Sequence, residues 1–177
     1  MKSRRLSRRV TLVGVGVLTT AALTVGTTAF ANADTDTAPR SSTTVATPSG
    51  HTAKETRNKR IVLGFVDLGI NQKQPQEAAD RYLGDLVQHN PNVADGKEGW
   101  VTWATGFVKA VPNVNVDFKR VLVDGDFVTL HTHITVSPTD RGTAAIDIFR
   151  VQNGKIVEHW DASTQVPETS ANDNGMF

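Results

Sequence analysis

The sequence contains no cysteine and one tyrosine, and its 19 basic residues nearly balance its 18 acidic ones. Without cysteine there is no disulfide, no thiol nucleophile, no thiolate metal ligand and no lipid anchor through sulfur, so the folded part must hold by core packing alone. The formal net charge is +1, and Arg4, Arg5, Arg8 and Arg9 crowd the start of the chain. The remainder is therefore close to neutral or slightly acidic, which offers nucleic acid no basic footprint. No G-x-S-x-G elbow, phosphate loop, dinucleotide fingerprint or internal repeat is present. Lys119 and Lys155 sit beside turns, where a desolvated Schiff-base lysine is not expected.

What is present divides into three parts. The arginines are followed by an apolar run from Val10 to Phe30 diluted by Thr and Gly, and then by the small-residue exit "AFANAD". A basic start, a mild apolar core and an A-x-A exit read as a secretory signal over residues 1–33, and "SRRVTL" resembles a twin-arginine export signal. The expected mature protein is secreted and keeps no membrane span after cleavage. Residues 34–53, rich in Thr, Ser and Pro and almost free of large apolar side chains, read as a flexible linker. Residues 54–177 then form one domain of ordinary size.

Within that domain the apolar period changes from helical to alternating. Ile61, Phe65 and Leu68 fall on one helical stripe, with Val62 and Val66 beside it. Pro75, Glu77 and Asp80 suit the start of a second helix. Asp95 and Glu98 have the spacing of a capping box for a third, whose buried stripe is Trp100, Trp103, Ala104 and Phe107. Two hairpins follow, with turn signals at Asp124-Gly125 and Asn153-Gly154, and the short "LVQHN" is a candidate edge strand. Three helices followed by a strongly bent antiparallel sheet make an α+β domain. A two-residue turn at Asn153-Gly154 pairs Val151 with Ile156, Phe149 with Glu158, and Asp147 with Trp160 on one face. His159 and Asp161 then face away.

Asp147 is the residue least at home in its surroundings, a carboxylate inside the apolar strand "TAAIDIFRV". Burial there requires a partner or a chemical use. In "LHTHITV", strand alternation sends His131 and His133 to one side and Leu130, Ile134 and Val136 to the other. Two histidines in that pattern suit a metal, a proton-transfer site or a wet surface. A metal would need His89 or Asp147 to complete it, and no third ligand follows at a motif spacing, so neither a metal nor another cofactor is expected. The acid–base reading places His131 and His133 in one concavity with Asp147, with Leu130, Thr132 and Ile134 behind them. "QHNP" adds His89 as a further catalytic candidate and Asn90 as a ligand-binding one, though Asn-Pro is also a turn signal. Trp103, Phe149 and Trp160 are the expected pocket lining.

"YLGDLVQHNPNVADGKEGW", "DIFRVQNGKIVEHWD" and "VPETSANDNGMF" resemble the SnoaL-like group of the nuclear transport factor 2-like superfamily. More narrowly, they are similar to bacterial proteins described as SnoaL-like aldol-condensation enzymes. The resemblance spans Glu55 to Phe177. It implies a cone, in which a curved antiparallel sheet wraps around a pocket closed by three helices. It also implies an aspartate acid–base, matched here by Asp147, and an assisting histidine on the neighbouring strand, matched by His133. Cones of this kind commonly pair through the outer sheet face, so a homodimer binding a carbonyl-bearing small molecule is expected. The alternative is a non-catalytic binding module for an apolar ligand.

Overall fold

The computed structural model describes residues 50–177; the expected signal and most of the expected linker lie outside the described residues. The first helix, α1 (Ala53–Val66), starts at a capping box that Thr52 and Glu55 form reciprocally. The Thr52 backbone N–H holds the Glu55 carboxyl below the usual range, and the Gly125 N–H and the Thr52 hydroxyl add to the effect. The helix continues as a π-helical turn (Asp67–Asn71), followed by α2 (Pro75–Tyr82), β1 (Leu83–Gln88), α3 (Gly96–Ala110), β2 (Asn115–Asp124), β3 (Phe127–Thr135), β4 (Thr143–Gln152) and β5 (Lys155–Gln165). Pro75 stands at the first turn of α2, as its fixed φ allows.

The five strands form one open sheet in the order β1-β5-β4-β3-β2. Four strands run antiparallel, and the candidate edge strand is real: β1 lies parallel to β5. Three helices and an open, curved five-stranded sheet make the expected α+β cone. Among the described residues, no helix is long and apolar enough to cross a membrane.

One sheet face carries the core. Val128 and Leu130 of β3, Phe149 and Val151 of β4, and Ile156 of β5 are buried there with Val62, Phe65 and Trp100 from the helices. Phe65 is the hinge of this packing, with its ring centroid 4.4 Å from that of Trp100 and 6.1 Å from that of Phe149. Polar anchors fix the helices to the sheet. Asn71 pairs with Val116 as a strand would, donating from Nδ2 to its carbonyl at 3.0 Å and accepting from its N–H at 2.7 Å. The buried Asn58 donates to the Gly125 carbonyl at the tip of the β2–β3 hairpin. Lys73 closes the π-helical end by donating to the carbonyls of Ile70, Asn71 and Val114, and burial pushes its pKa down.

The hairpins differ in small ways from the sequence expectation. At Asn153-Gly154 both residues take positive φ, 51° and 77°, as a type I′ turn demands. The other loop sits one residue later than Asp124-Gly125, because Asp124 pairs with Phe127 and leaves Gly125 and Asp126 to turn. Asp95 does not cap α3 with its side chain; its Oδ1 accepts instead from the Gln88 N–H at 2.7 Å, tying off the end of β1.

The largest departure is the register of β4 against β5. Val151 pairs with Ile156 as expected, but Arg150 then pairs with Glu158, so β5 carries one residue more than β4 at Val157. This is a β-bulge, and a one-residue slip moves every later side chain to the opposite face. Phe149 therefore pairs with His159, Ile148 with Trp160, and Asp147 with Asp161. Gly84 of β1 makes room beside the bulge, since a Cβ on it would stand 3.2 Å from Cγ1 of Val157 and 3.3 Å from Cβ of Lys155. Gly84→Val should lower stability in chemical denaturation by about 1–3 kcal/mol through overpacking. Adding Val157→Ala should recover part of that loss, and strictly additive effects would show that the two positions do not touch.

Candidate functional site

The bulge determines which side chains enter the cavity between sheet and helices. Its volume is about 280 Å³, and its apolar wall includes Phe65, Leu86, Trp100, Trp103, Phe107 and Phe149. Trp103 and Phe107 lie on one side of α3 four residues apart and stack with ring centroids 5.3 Å apart. The polar wall includes Gln88, Asn90, Asn92, Asp147, His159 and Asp161, with Thr132 and Ser163 further along the strands.

His159 Nε2 lies 3.4 Å from Asp147 Oδ1, and its Nδ1 lies 3.0 Å from Gln88 Oε1. The Gln88 oxygen also accepts from the Asn90 backbone N–H at 2.9 Å. A backbone N–H can only donate, so it fixes which end of the Gln88 amide is oxygen. His159 must then donate from Nδ1, which leaves Nε2 as the ring atom that meets Asp147. A single proton on Nε2 or on the carboxyl completes that contact. The geometry is that of a pair able to pass one proton between carboxylate, imidazole and a bound molecule. Both side chains are largely buried, at 13% exposure for His159 and 21% for Asp147.

Asp161 stands across from Asp147 and accepts from Asn90 Nδ2 at 2.7 Å. Asn90 Oδ1 in turn accepts from the Asn92 N–H, so this residue both forms the turn and braces the cavity. One ligating atom from each of Asp147, His159 and Asp161 lies within 4.8 Å of the others. Among the described residues these three, and not the H-x-H of β3, have the spacing that could hold a divalent cation.

Of the residues expected at the site, Asp147, Asn90, Trp103 and Phe149 line the cavity, while His131, His133, His89 and Trp160 do not. The two β3 histidines do share a face, but it is the opposite one. Thr132 and Ile134 point into the cavity, because the concave side of the sheet is also its core side and takes the apolar set of the strand. His131 accepts on Nδ1 from Arg120, and His133 donates from Nε2 to the Arg141 carbonyl at 2.8 Å. The Phe177 ring packs against both, with centroids at 5.6 and 4.4 Å.

Trp160 is carried to the outer face by the bulge, where His89 stacks on it at 4.6 Å with planes 5° apart. His89 also donates to Glu158 at 3.0 Å, and Arg150 donates to the same carboxylate at 2.7 Å. His159, assigned to the wrong face by unbroken alternation, replaces His133 as the imidazole beside Asp147. Gly84 in an otherwise strand-like "YLGDLV" is the one sequence signal that points to the bulge.

The family model for the SnoaL-like polyketide cyclases matches residues 60–167. The chain belongs to the SnoaL-like polyketide cyclase family. A Bacillus cereus ATCC 10987 protein described as a candidate polyketide cyclase is similar at 28% identity, over 61% of this chain and 74% of that one, with a TM-score of 0.53. TsrD from Streptomyces laurentii is similar at 20% identity, covering 63% and 91% of the two chains, with a TM-score of 0.53. A Kribbella flavida DSM 17836 protein described as a candidate ketosteroid isomerase matches at 15% identity over 67% and 86%, with a TM-score of 0.54. No curated protein matches.

The outer cluster yields a pH prediction. The His89 hydrogen bond, seconded by Arg150, holds the Glu158 carboxyl below the usual glutamate range. Its folded pKa is thus below its unfolded one, so as pH falls the unfolded chain takes up the proton first. The stabilisation is complete above the ordinary glutamate range and is lost as pH drops through the lowered folded value. Denaturation at a series of acidic pH values should show that slope in the wild type and a shallower one in Glu158→Gln.

Proposed function

We propose that this SnoaL-like chain is an exported acid–base enzyme acting on a neutral, carbonyl-bearing small molecule, with aldol-type cyclase or isomerase chemistry. The observation that carries the reading is the aligned set Asn90 N–H, Gln88, His159 and Asp147, which presents a carboxylate and an oriented imidazole to an apolar cavity. In the proposed step the Asp147 carboxylate takes a proton from the carbon alpha to the carbonyl, and the electron pair moves to the carbonyl oxygen. His159 steadies the carboxyl through Nε2 and exchanges the proton with it. Return of the proton to another carbon completes an isomerisation, and attack of the carbanion on a second carbonyl, followed by protonation of the alkoxide, completes an aldol closure.

Export rests on the arginine pair, the mild apolar run and "AFANAD". A homodimer is part of the same proposal, because Leu122, Phe127 and Ile146 are exposed and apolar. Ile146, on the outer face, and Phe127, beside Trp160, would need cover from a partner. Sedimentation of the domain at micromolar concentration should give a dimer.

Asp147→Asn should lower turnover of any substrate found by two to four powers of ten, roughly the worth of a positioned general base. His159→Gln should lower it less. In this reading Nε2 holds a proton and not a cation, so chelator treatment should leave the wild type active. Full turnover by Asp147→Asn would defeat the proposal. Saturable binding with no consumption of any ligand would instead identify a carrier, to which the aromatic wall is equally suited.

A further inference from the structure

Thr132 is 1% exposed, and its Oγ1 is the sole buried side-chain polar atom among the described residues without a hydrogen-bond partner. It also lines the cavity. An orphaned hydroxyl in an apolar core has lost its water without gaining a partner, and valine would fill the same volume without that loss. The residues paired directly with it offer no partner. Thr132 pairs with Ala145 on one side and Phe118 on the other, neither of which has a polar side chain. Thr132 lines the cavity, so an atom of a bound molecule is the partner that the fold leaves open to Oγ1.

Position narrows what that atom does. Leu130 pairs with Asp147, so Thr132 is the diagonal neighbour two residues on, on the same face. Diagonal positions across an antiparallel pair lie about 7–8 Å apart at Cα, less at Cβ. That span fits one carbonyl unit, with its α-carbon over Asp147 and its oxygen at Thr132. Building on the acid–base reading, we propose that the Thr132 hydroxyl donates to the substrate carbonyl oxygen and to the enolate that forms when Asp147 removes the α-proton. Strand alternation turns Thr132 inward and its neighbour His133 outward. A donor already fixed where negative charge develops stabilises the transition state more than the ground state. Within that step the α C–H bond breaks toward Asp147, its electron pair forms the C=C bond, and the carbonyl π pair becomes the enolate lone pair held by Thr132.

The test uses 2-tetralone as the ketone and tetralin, the same ring frame without oxygen, as the control. Tryptophan fluorescence reads their binding, and proton NMR in D2O reads exchange at the α-carbon. The wild type should bind the ketone more tightly than the hydrocarbon. Thr132→Val should lose roughly three- to tenfold in ketone affinity with tetralin unchanged. It should also slow α-exchange by about a hundredfold and unfold at an equal or higher temperature. Thr132→Ser, which keeps the hydroxyl, should restore both preference and exchange. A wild type with no preference for the ketone, or a folded Thr132→Val with undiminished preference, overturns the assignment. Asp147→Asn separates the two readings. If it keeps exchange while Thr132→Val loses ketone preference, the base is misassigned and the carbonyl site stands.

Discussion

The site depends on one extra residue in one strand. With unbroken pairing from Asn153-Gly154, Asp147 would face Trp160 and the cavity would contain no imidazole. The bulge at Val157 reverses the parity of β5 beyond Ile156, so that His159, Asp161 and Ser163 turn inward while Glu158 and Trp160 turn out. A bulge leaves a residue unpaired and is tolerated only where neighbours accept the irregularity. Here β1 accepts it. Its own pairing with β5 is interrupted between Leu83 and Val87, opposite the same segment, and Gly84 leaves space for the displaced Val157 side chain. Two strands are therefore irregular together, and the polar wall of the cavity lies just beyond the irregularity.

The same pair of strands also orients that wall. The end of β1 supplies Gln88, the turn after it supplies Asn90, and the His89 N–H bonds back to the His159 carbonyl. Each hydrogen bond constrains the next: the Asn90 N–H orients the Gln88 amide, the amide selects the His159 tautomer, and the tautomer presents Nε2 to Asp147. On the other face, His89, Glu158 and Arg150 make a second network that clamps the same stretch of β5. The "QHNP" segment thus divides its labour by parity as well, with Gln88 and Asn90 inward and His89 outward.

Much of the architecture was legible because it rests on period and punctuation. The three helices, both hairpins and the edge strand follow from apolar spacing, Pro75 and the glycine turns, and Asp147 stands out as a carboxylate among β-branched neighbours. The faces were harder to read. For β3 the information was present: Leu130, Thr132 and Ile134 form the less polar set, and in a sheet covered by helices on one side that set must face the helices. The cavity is the part of that core left unfilled, so the histidines had to point away from it. For β5 the alternation of "KIVEHWDAS" is compatible with either parity, since a period of two cannot reveal where one residue is inserted. Only Gly84, distant in sequence, hints at the bulge, and reading it requires knowing that β1 pairs with β5. The identity of the imidazole was therefore a tertiary property, while the identity of the carboxylate was a local one.

The charge of the cavity sets the final constraint. Among the described residues that line it there is no lysine or arginine, whereas two aspartates stand side by side on β4 and β5. Phosphates and carboxylates would meet like charge with no lysine or arginine to offset it, so an anionic ligand is disfavoured in a low-dielectric wall. The remaining lining is aromatic and aliphatic, and its isolated polar atom is a hydroxyl that can donate or accept. A neutral molecule with an apolar body and an oxygen function satisfies all three conditions at once. Such a molecule would also bring an acidic C–H or O–H to the Asp147 carboxylate. The irregular strand pair, the oriented imidazole and the unpartnered threonine then belong to one site, assembled from three neighbouring strands and closed by α3.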